Sequence, residues 1–329
     1  MIKKNIDEYF ANSKGKRICI IGDIMLDKYY IGDVTRISPE APVQVFEIRS
    51  TEPKLGGAAN VSFNIKSLEC EPFLIGLIGK DADGKEIKKQ LRKQKQSVAG
   101  LIEVNNRPTT CKTRVIASSH HLLRIDSESK DEIDIKTEQK IISMLNKHAK
   151  SFSIIVLQDY NKGLLTKSLI KKITEFGVKN KIKILVDPKF ENFKEYKNVF
   201  VFKPNRKELE DAMGRKAKND SELDRNGIEL LNEIKCVNLV LTLGENGMKV
   251  FSKKKNKKVF IHPIKTQARK VSDVSGAGDT VISTIAVMLA GGAGIFDAVE
   301  IANVAAGIVV EEVGIVPITK TNLLNRVKQ

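Results

Sequence analysis

Short apolar runs alternate along this chain with longer stretches that mix apolar and charged residues. Arg17–Gly22 (RICIIG), Phe73–Gly79, Ser153–Leu157, Lys183–Val186, Val199–Phe202 and Val237–Leu243 are dominated by apolar side chains. Runs of this kind predict strands buried on both faces, as in a parallel sheet. Between them, helices are predicted from the small residues after Gly57 to about Leu68, and from Gly84 to about Gln96. Further helices are predicted over Thr137–Lys150, Thr166–Val178, Arg206–Met213 and Ser221–Lys235. Repeated β-α order implies a sheet with helices on both faces. Two stretches interrupt it. Tyr29–Asp33 and Val43–Ile48 read as short strands around Ser38-Pro39-Glu40-Ala41-Pro42, where two close prolines exclude a helix. Thr109–Asp126 also has β character. Both read as parts of a lid, inserted at about 28–52 and 107–126. A hairpin over Met248–His262, an apolar helix through Val281–Leu289 and a small-residue helix over Ile301–Gly307 complete the pattern. Without repeats or a flexible linker, one domain over 1–329 is expected. Its fold class is α/β: a three-layer α/β/α domain with a mainly parallel central sheet plus a small discontinuous β-sheet lid.

Polar residues recur where the apolar runs end: Asp23, Asp159, Lys189, Asn205 and Gly244. Ligands of open α/β sheets collect at the carboxyl ends of the strands, so this recurrence predicts a site. Asp23 and Asp27 are suited to sugar hydroxyls, although Asp27 is equally a turn cap. Gly56 and Gly57 open a helix and permit close approach of a ligand, and Asn60 can both donate and accept. The octet Asp273-Val274-Ser275-Gly276-Ala277-Gly278-Asp279-Thr280 precedes the apolar helix. Amides of Gly276, Ala277 and Gly278 at a helix start attract an anion, and Asp279 supplies a carboxylate beside it. That pair suits phosphoryl transfer to a hydroxyl, with Asp279 as base. Read alone, the four residues GAGD are equally a glycine-rich start with an Asp cap. Asn205 and Glu208 lie one helical turn apart; they suit a metal–phosphate complex or a capping box. Lys112, Arg114 and Arg124 on the lid are candidates for an anionic substrate group, or solvated edge-strand cations. His120 and His121 would face opposite sides of a strand and do not share one metal. Neither GxxxxGK[ST] nor GxGxxG occurs, which removes the P-loop and classical dinucleotide readings.

Charge refines this picture. The formal net charge is +16, from 56 Lys+Arg against 40 Asp+Glu. The lysines are spread along the whole chain, and there is no Trp and few Tyr for stacking bases, so no nucleic acid is expected as partner. Anionic small molecules fit the excess better. Cys19, Cys70, Cys111 and Cys236 form no CxxC pair, so reduced thiols and a cytoplasmic location are expected. No signal-peptide core opens the chain, and no apolar run reaches the ~18 residues of a membrane span.

With these residues in hand, the octet resembles the C-terminal signature of the ribokinase-like (PfkB) carbohydrate kinases, and the resemblance covers nearly the full length. Within that family the chain is similar to the kinases of D-glycero-β-D-manno-heptose 7-phosphate in bacterial ADP-heptose synthesis. The narrower similarity lies in GDIMLDKYYIGDVTRISPEAPVQVFEI (Gly22–Ile48), LGGAANVSFNI (Leu55–Ile65) and LLRID (Leu122–Asp126). It continues in QDYNKGLL, VDPK, DVSGAGDTVI and ANVAAGIVV. The resemblance implies a ribokinase-like fold and MgATP-dependent phosphorylation of the C1 hydroxyl of heptose 7-phosphate to the 1,7-bisphosphate. It implies Asp279 as catalytic base and Gly276, Ala277 and Gly278 as anion hole. Asn205, Arg206, Lys207 and Glu208 stand in the NxxE position that orients ATP phosphates and Mg²⁺, with Glu208 toward the metal. Gly244, Gly247 and Asn303 match the nucleotide pocket. Asp23, Gly56, Gly57 and Asn60 match the sugar site, beside which Asp27 stays a candidate by position, and Arg124, Lys162 and Lys189 are candidates for phosphate contacts. A monovalent cation such as K⁺ is implied near Asp273 and Ser275, with Gly314, and a homodimer through the lid strands.

The chain also departs from the family. Gln158 stands where serine is common, and His120-His121 replace a glutamine-rich pair, which leaves exact sugar preference open. Many relatives carry a nucleotidyltransferase domain with an HxGH motif; none occurs here, so this chain is expected to lack that domain and not to make ADP-heptose. A kinase of the same fold acting on another sugar or sugar phosphate is the alternative reading. A non-catalytic sugar- or nucleic-acid-binding protein is the third.

Overall fold

The structure, a computed structural model, describes residues 2–117, 120–253, 258–268, 270–312 and 314–328. The chain opens with α1 (Ile2–Ser13) and β1 (Arg17–Gly22). It runs almost directly into β2 (Ile24–Ile37) and back through β3 (Gln44–Gly57). Then come α2 (Ala58–Ser67), β4 (Glu71–Gly79), α3 (Ala82–Lys93) and β5 (Leu101–Val104), followed by β6 (Thr110–Ala117) and β7 (His120–Ser127). The remainder alternates: α4 (Ile135–His148), β8 (Phe152–Gln158), α5 (Lys167–Asn180), β9 (Lys183–Asp187), β10 (Val201–Phe202), α6 (Arg206–Met213), α7 (Asp220–Glu233) and β11 (Asn238–Thr242). Last are β12 (Met248–Lys253), β13 (Val259–Ile264), α8 (Ala277–Ala290), α9 (Ile295–Val309) and α10 (Lys320–Lys328).

Nine strands form the large sheet in the order β13-β12-β11-β10-β9-β8-β1-β4-β5. From β11 to β5 all neighbours are parallel; β12 and β13 add an antiparallel edge. Alternate strand side chains divide the interior into two cores. Ile18, Ile20, Leu74, Val156, Leu185 and Val240 face helices α1, α2, α3, α8, α9 and α10. Cys19, Ile21, Ile75, Leu157, Val186 and Leu241 face α4, α5, α6 and α7. That division explains why the strand sequences are apolar throughout: neither face reaches water.

The second sheet has the order β3-β2-β6-β7. It consists of two antiparallel hairpins joined by a parallel β2–β6 pairing. Its first two strands are much longer than the predicted Tyr29–Asp33 and Val43–Ile48, and begin and end on the central domain. The polar stretch Glu47–Lys54 hides this in the sequence, because half the strand is paired yet exposed. Elsewhere Val199–Phe202 shortens to β10, and Ile301–Gly307 extends in both directions to α9. Within the predicted Met248–His262 hairpin, positions 254–257 lie outside the described residues. All four cysteines are buried and unpaired. Among the described residues, no helix is long and apolar enough to cross a membrane.

Candidate active site

Helix α8 begins at Gly276, whose φ of 78° is a left-handed conformation that glycine adopts without a Cβ penalty. No side chain caps this start, so it remains an end that attracts anions. Ala277 and Gly278 line a cavity of about 630 Å³. Of the three residues expected to bind an anion, Ala277 already donates its N–H to the Val274 carbonyl at 3.3 Å. Gly276 shapes the turn.

Asp279, in the first turn of α8, is buried. Its Oδ2 accepts from Asn60 Nδ2 at 2.8 Å. Its Oδ1 accepts from Gln158 Nε2 and from the Tyr160 hydroxyl, both at 3.0 Å. Burial pushes its carboxyl up to about 7; the Asn60 bond opposes that, the negative Asp187 adds to it, and Tyr160 and Lys203 oppose it. A carboxylate with this value is half ionised near neutral pH, which suits a general base. Beneath it, Lys203 and Asp187 form a buried ion pair at 3.0 Å, and Gln158 Nε2 also donates to Asp187 at 3.1 Å. Lys203 and Asp187 are both on the cavity wall beside Gly278.

The same wall carries Asn205, Glu208, Lys189, Gly244, Gly247 and Asn303. Asn205 and Glu208 form a full capping box on α6: Glu208 N–H donates to Asn205 Oδ1 at 2.8 Å, and Asn205 N–H to Glu208 Oε2 at 2.9 Å. Capping and cavity-lining therefore coexist in one pair. Glu208 is also paired with Lys189. Burial would lower the Lys189 pKa, but Glu208 and Asp187 raise it, so the ammonium stays charged. Asn303 is fixed by donating to the Lys265 carbonyl at 2.7 Å. Arg206 and Lys207 are exposed and absent from this wall. The Arg206 side chain bonds to Glu210 and the Ala217 carbonyl instead, because positions after the cap turn with the helix away from the cavity.

Asp23 lies on the other side of Tyr160. It is buried, and accepts from the N–H groups of Tyr160 at 2.8 Å and Lys162 at 3.1 Å through Oδ2. Burial and the nearby Asp159 raise its carboxyl to about 7, against those two N–H bonds. With Arg107 and Lys162 it lines a small cleft under the lid. Lys162 Nζ pairs with Glu128 at 2.6 Å. Gly57 has φ 56°, and a Cβ there would collide with the Asp23 carbonyl; a Cβ at Gly56 would strike the Asp27 carboxylate. Asp27 itself is paired with Arg114 at 2.5 Å, so the lid strand β6 is tied to the sugar-side expectation. Arg124 is exposed on the edge strand β7 and bonds to Asp126 at 3.0 Å. Among the described residues, no hydrogen bond or ion pair links it to the Asp23–Asp279 group. Asp273 accepts from Ser275 N–H at 2.9 Å and Gly314 N–H at 3.0 Å. These bonds hold its carboxyl below the usual range despite partial burial. The three residues expected around a monovalent cation are thus adjacent. Among the described residues, no group of three or more His, Cys, Asp or Glu is disposed to hold a metal.

Sequence reasoning left Tyr160, Asp187, Lys203 and Arg107 off the candidate set. The first three stand where an apolar run ends, and that position is the signal that marks them. Arg107 donates to the carbonyls of Asp131 and Ser129, at 2.8 and 3.1 Å, and to that of Lys162. It carries no comparable sequence mark.

The profile of the pfkB family carbohydrate kinases matches residues 16–322, and the chain belongs to that family. It is a phosphotransferase acting on a sugar hydroxyl. The bifunctional protein HldE of Geobacter sulfurreducens is 40% identical over 314 residues, covering 95% of this chain and 63% of that protein. HldE of Aliarcobacter butzleri is 43% identical over 305 residues, covering 92% and 62%. The chain thus spans under two thirds of the length of these relatives. Among solved structures, Arabidopsis thaliana ribokinase complexed with ribose and ATP superposes with a TM-score of 0.74 at 18% identity, covering 96% of this chain and 99% of that one. Phosphofructokinase-2 from Escherichia coli in complex with potassium gives 0.75 at 17%, covering 94% and 97%. These two matches establish the ribokinase-like fold.

Proposed function

We propose that this protein transfers the γ-phosphoryl group of ATP to the C1 hydroxyl of D-glycero-β-D-manno-heptose 7-phosphate, giving the 1,7-bisphosphate on the route to ADP-heptose and lipopolysaccharide core. The observation that carries the reaction type is one juxtaposition. Buried Asp279, raised to about 7, stands in the first turn of α8, directly after Ala277 and Gly278, which line a cavity of about 630 Å³ at the uncapped helix start. The narrower substrate is supported by RISPEAPV, by DPK and by about 40% identity to the HldE proteins.

In this reading the nucleotide lies along Gly244, Gly247 and Asn303, with its phosphates between Lys189 and α8. Asp23, Gly56, Gly57 and Asn60 hold the sugar. Asp279 takes the hydroxyl proton as the oxygen attacks, and the α8 start stabilises the charge of the moving group. Glu208 presents a hard oxygen donor to the cavity, the ligand type Mg²⁺ takes, with Asn205 beside it. Mg²⁺ bound with ATP would supply neutralisation of phosphate charge. K⁺ would sit by Asp273, Ser275 and Gly314. We read residues 1–329 as one kinase domain acting in the cytoplasm, to which four buried thiols are suited. We also read it as a homodimer joined through the lid, whose exposed apolar residues need a cover.

The test is ATP turnover with Mg²⁺, comparing the heptose 7-phosphate with ribose, fructose 6-phosphate and no sugar. Selective ADP release with the heptose phosphate, and a bisphosphate product, is expected. Selective turnover of another sugar would keep the base and anion hole but overturn the substrate. Oligonucleotide binding with steep salt dependence and no turnover would overturn the kinase reading.

A further inference from the structure

We propose that Tyr160 is a positioning residue of the transfer: it saturates Asp279 Oδ1 and so directs the acceptor proton to Asp279 Oδ2. The proposal rests on the reading of Asp279 as base. Each carboxylate oxygen has two acceptor sites. Oδ1 receives Gln158 Nε2 and the Tyr160 hydroxyl, both at 3.0 Å. Oδ2 receives Asn60 Nδ2 at 2.8 Å and, among the described residues, no second donor. The remaining lone pair is therefore on Oδ2.

Tyr160 is itself held from below. Its N–H donates to Asp23 Oδ2 at 2.8 Å, so one residue joins the sugar-side carboxylate to the base. The preceding Asp159 is buried and accepts from the Tyr196 hydroxyl at 2.6 Å and from Asn161 N–H at 2.8 Å. Its own N–H donates to the Asp187 carbonyl at 3.0 Å. Asn161 takes φ 53°, which lets the loop turn immediately after Tyr160. The ring is thus placed by the loop, not by loose packing against the cavity.

In the step, the acceptor O–H bond breaks and its proton moves to Asp279 Oδ2. The electron pair left on that oxygen forms the new bond to the γ-phosphorus. The bond from γ-phosphorus to the bridging oxygen breaks with its pair leaving on ADP. Tyr160 and Gln158 orient Asp279 through Oδ1, and the Tyr160 bond favours its ionised form against burial. Asp187 from β9 acts in the opposite sense, while Lys203 after β10, Lys189 after β9 and Asn60 of α2 act in the same sense as Tyr160.

Tyr160→Phe keeps the ring and removes the donor. In protein labelled with ¹³C-aspartate, the Asp279 carboxyl signal is assigned by its loss in Asp279→Asn and titrated without substrate. The midpoint should rise in Tyr160→Phe by about one unit. The acid limb of kcat should move the same way, with kcat down about tenfold or more and KM for ATP little changed. An unmoved Asp279 midpoint overturns the proposal. If Tyr160→Phe does not fold, Tyr160→3-fluorotyrosine, a stronger donor, should lower the midpoint below wild type; an unchanged or higher midpoint overturns the proposal equally. Because the titration needs no turnover, it decides this point even if the heptose reading fails.

Discussion

The floor of the cleft and its lid solve opposite problems. On the floor, Asp23, Asp159, Asp187 and Asp279 are all buried, and each has a hydrogen-bond donor or an ion-pair partner. On the lid, Ile37, Val43, Ile48, Leu123 and Ile125 are apolar and more than half exposed. Buried polar groups are costly unless paired, so the floor is an arrangement that one chain completes by itself. Exposed apolar side chains in such number suit a cover from outside the chain. In the proposed reading the difference separates chemistry from assembly: Asp279 and its donors belong to the central domain, while the lid sheet pairs its own Arg114 and Asp27 and offers a surface to a second copy.

The sharpest test of the floor is Asp279→Asn. All three of its partners donate, so the amide oxygen can keep part of the network while the base is lost. Turnover should fall by roughly 10²–10⁴-fold, and calorimetric ATP binding should change little. Near-normal turnover would remove Asp279 from its role.

The lid is tested by Leu123→Glu with Ile125→Glu. These residues lie cross-strand from Val115 and Thr113, on the face opposite Arg114. Two charges on an apolar contact should convert a dimer to a monomer in sedimentation velocity, with the unfolding transition of the central domain retained. A dimer that persists would place the subunit contact elsewhere.

The same division governs what the sequence discloses. Strand β1 and helix α6 were legible to the residue, since an apolar run covered on both faces and an Asn-x-x-Glu start are local patterns. The glycine-rich octet and Asp279 were legible as well. Helix α1 was not, because its apolar residues Ile6 and Phe10 are sparse among charges. The donors on Asp279 were not legible as a set: Asn60, Gln158 and Tyr160 lie 219, 121 and 119 positions away and meet only when the strands align. Arg206 and Lys207 were included by position in a motif, yet helix geometry turns them outward.

Lys189 sits between the two regimes, partly exposed and paired with Glu208. An exposed ion pair contributes only about 0–1 kcal/mol, so Lys189→Ala should leave the melting transition nearly unchanged. Loss of a phosphate contact should raise KM for the phosphorylated ligand about tenfold, roughly 1.4 kcal/mol. A destabilised variant with unchanged KM would make the residue structural.

A last test of the floor reads stability against pH. The Asp279 carboxyl is raised from 3.8 to about 7 by burial in the folded state. Between those values the folded state binds more protons than the unfolded state, so this residue makes stability fall as pH rises. The penalty is absent below the unfolded value and complete above about 7. Depressed carboxyls such as Asp81 and Asp273 act in the opposite sense, so the raw stability profile mixes both. Subtracting the Asp279→Asn profile from wild type isolates the term. The stability difference, wild type minus variant, should decline from pH 4 to pH 7 and then flatten. A difference that rises over that window would mean that Asp279 is held ionised by its three donors and Lys203, and that burial does not control the base.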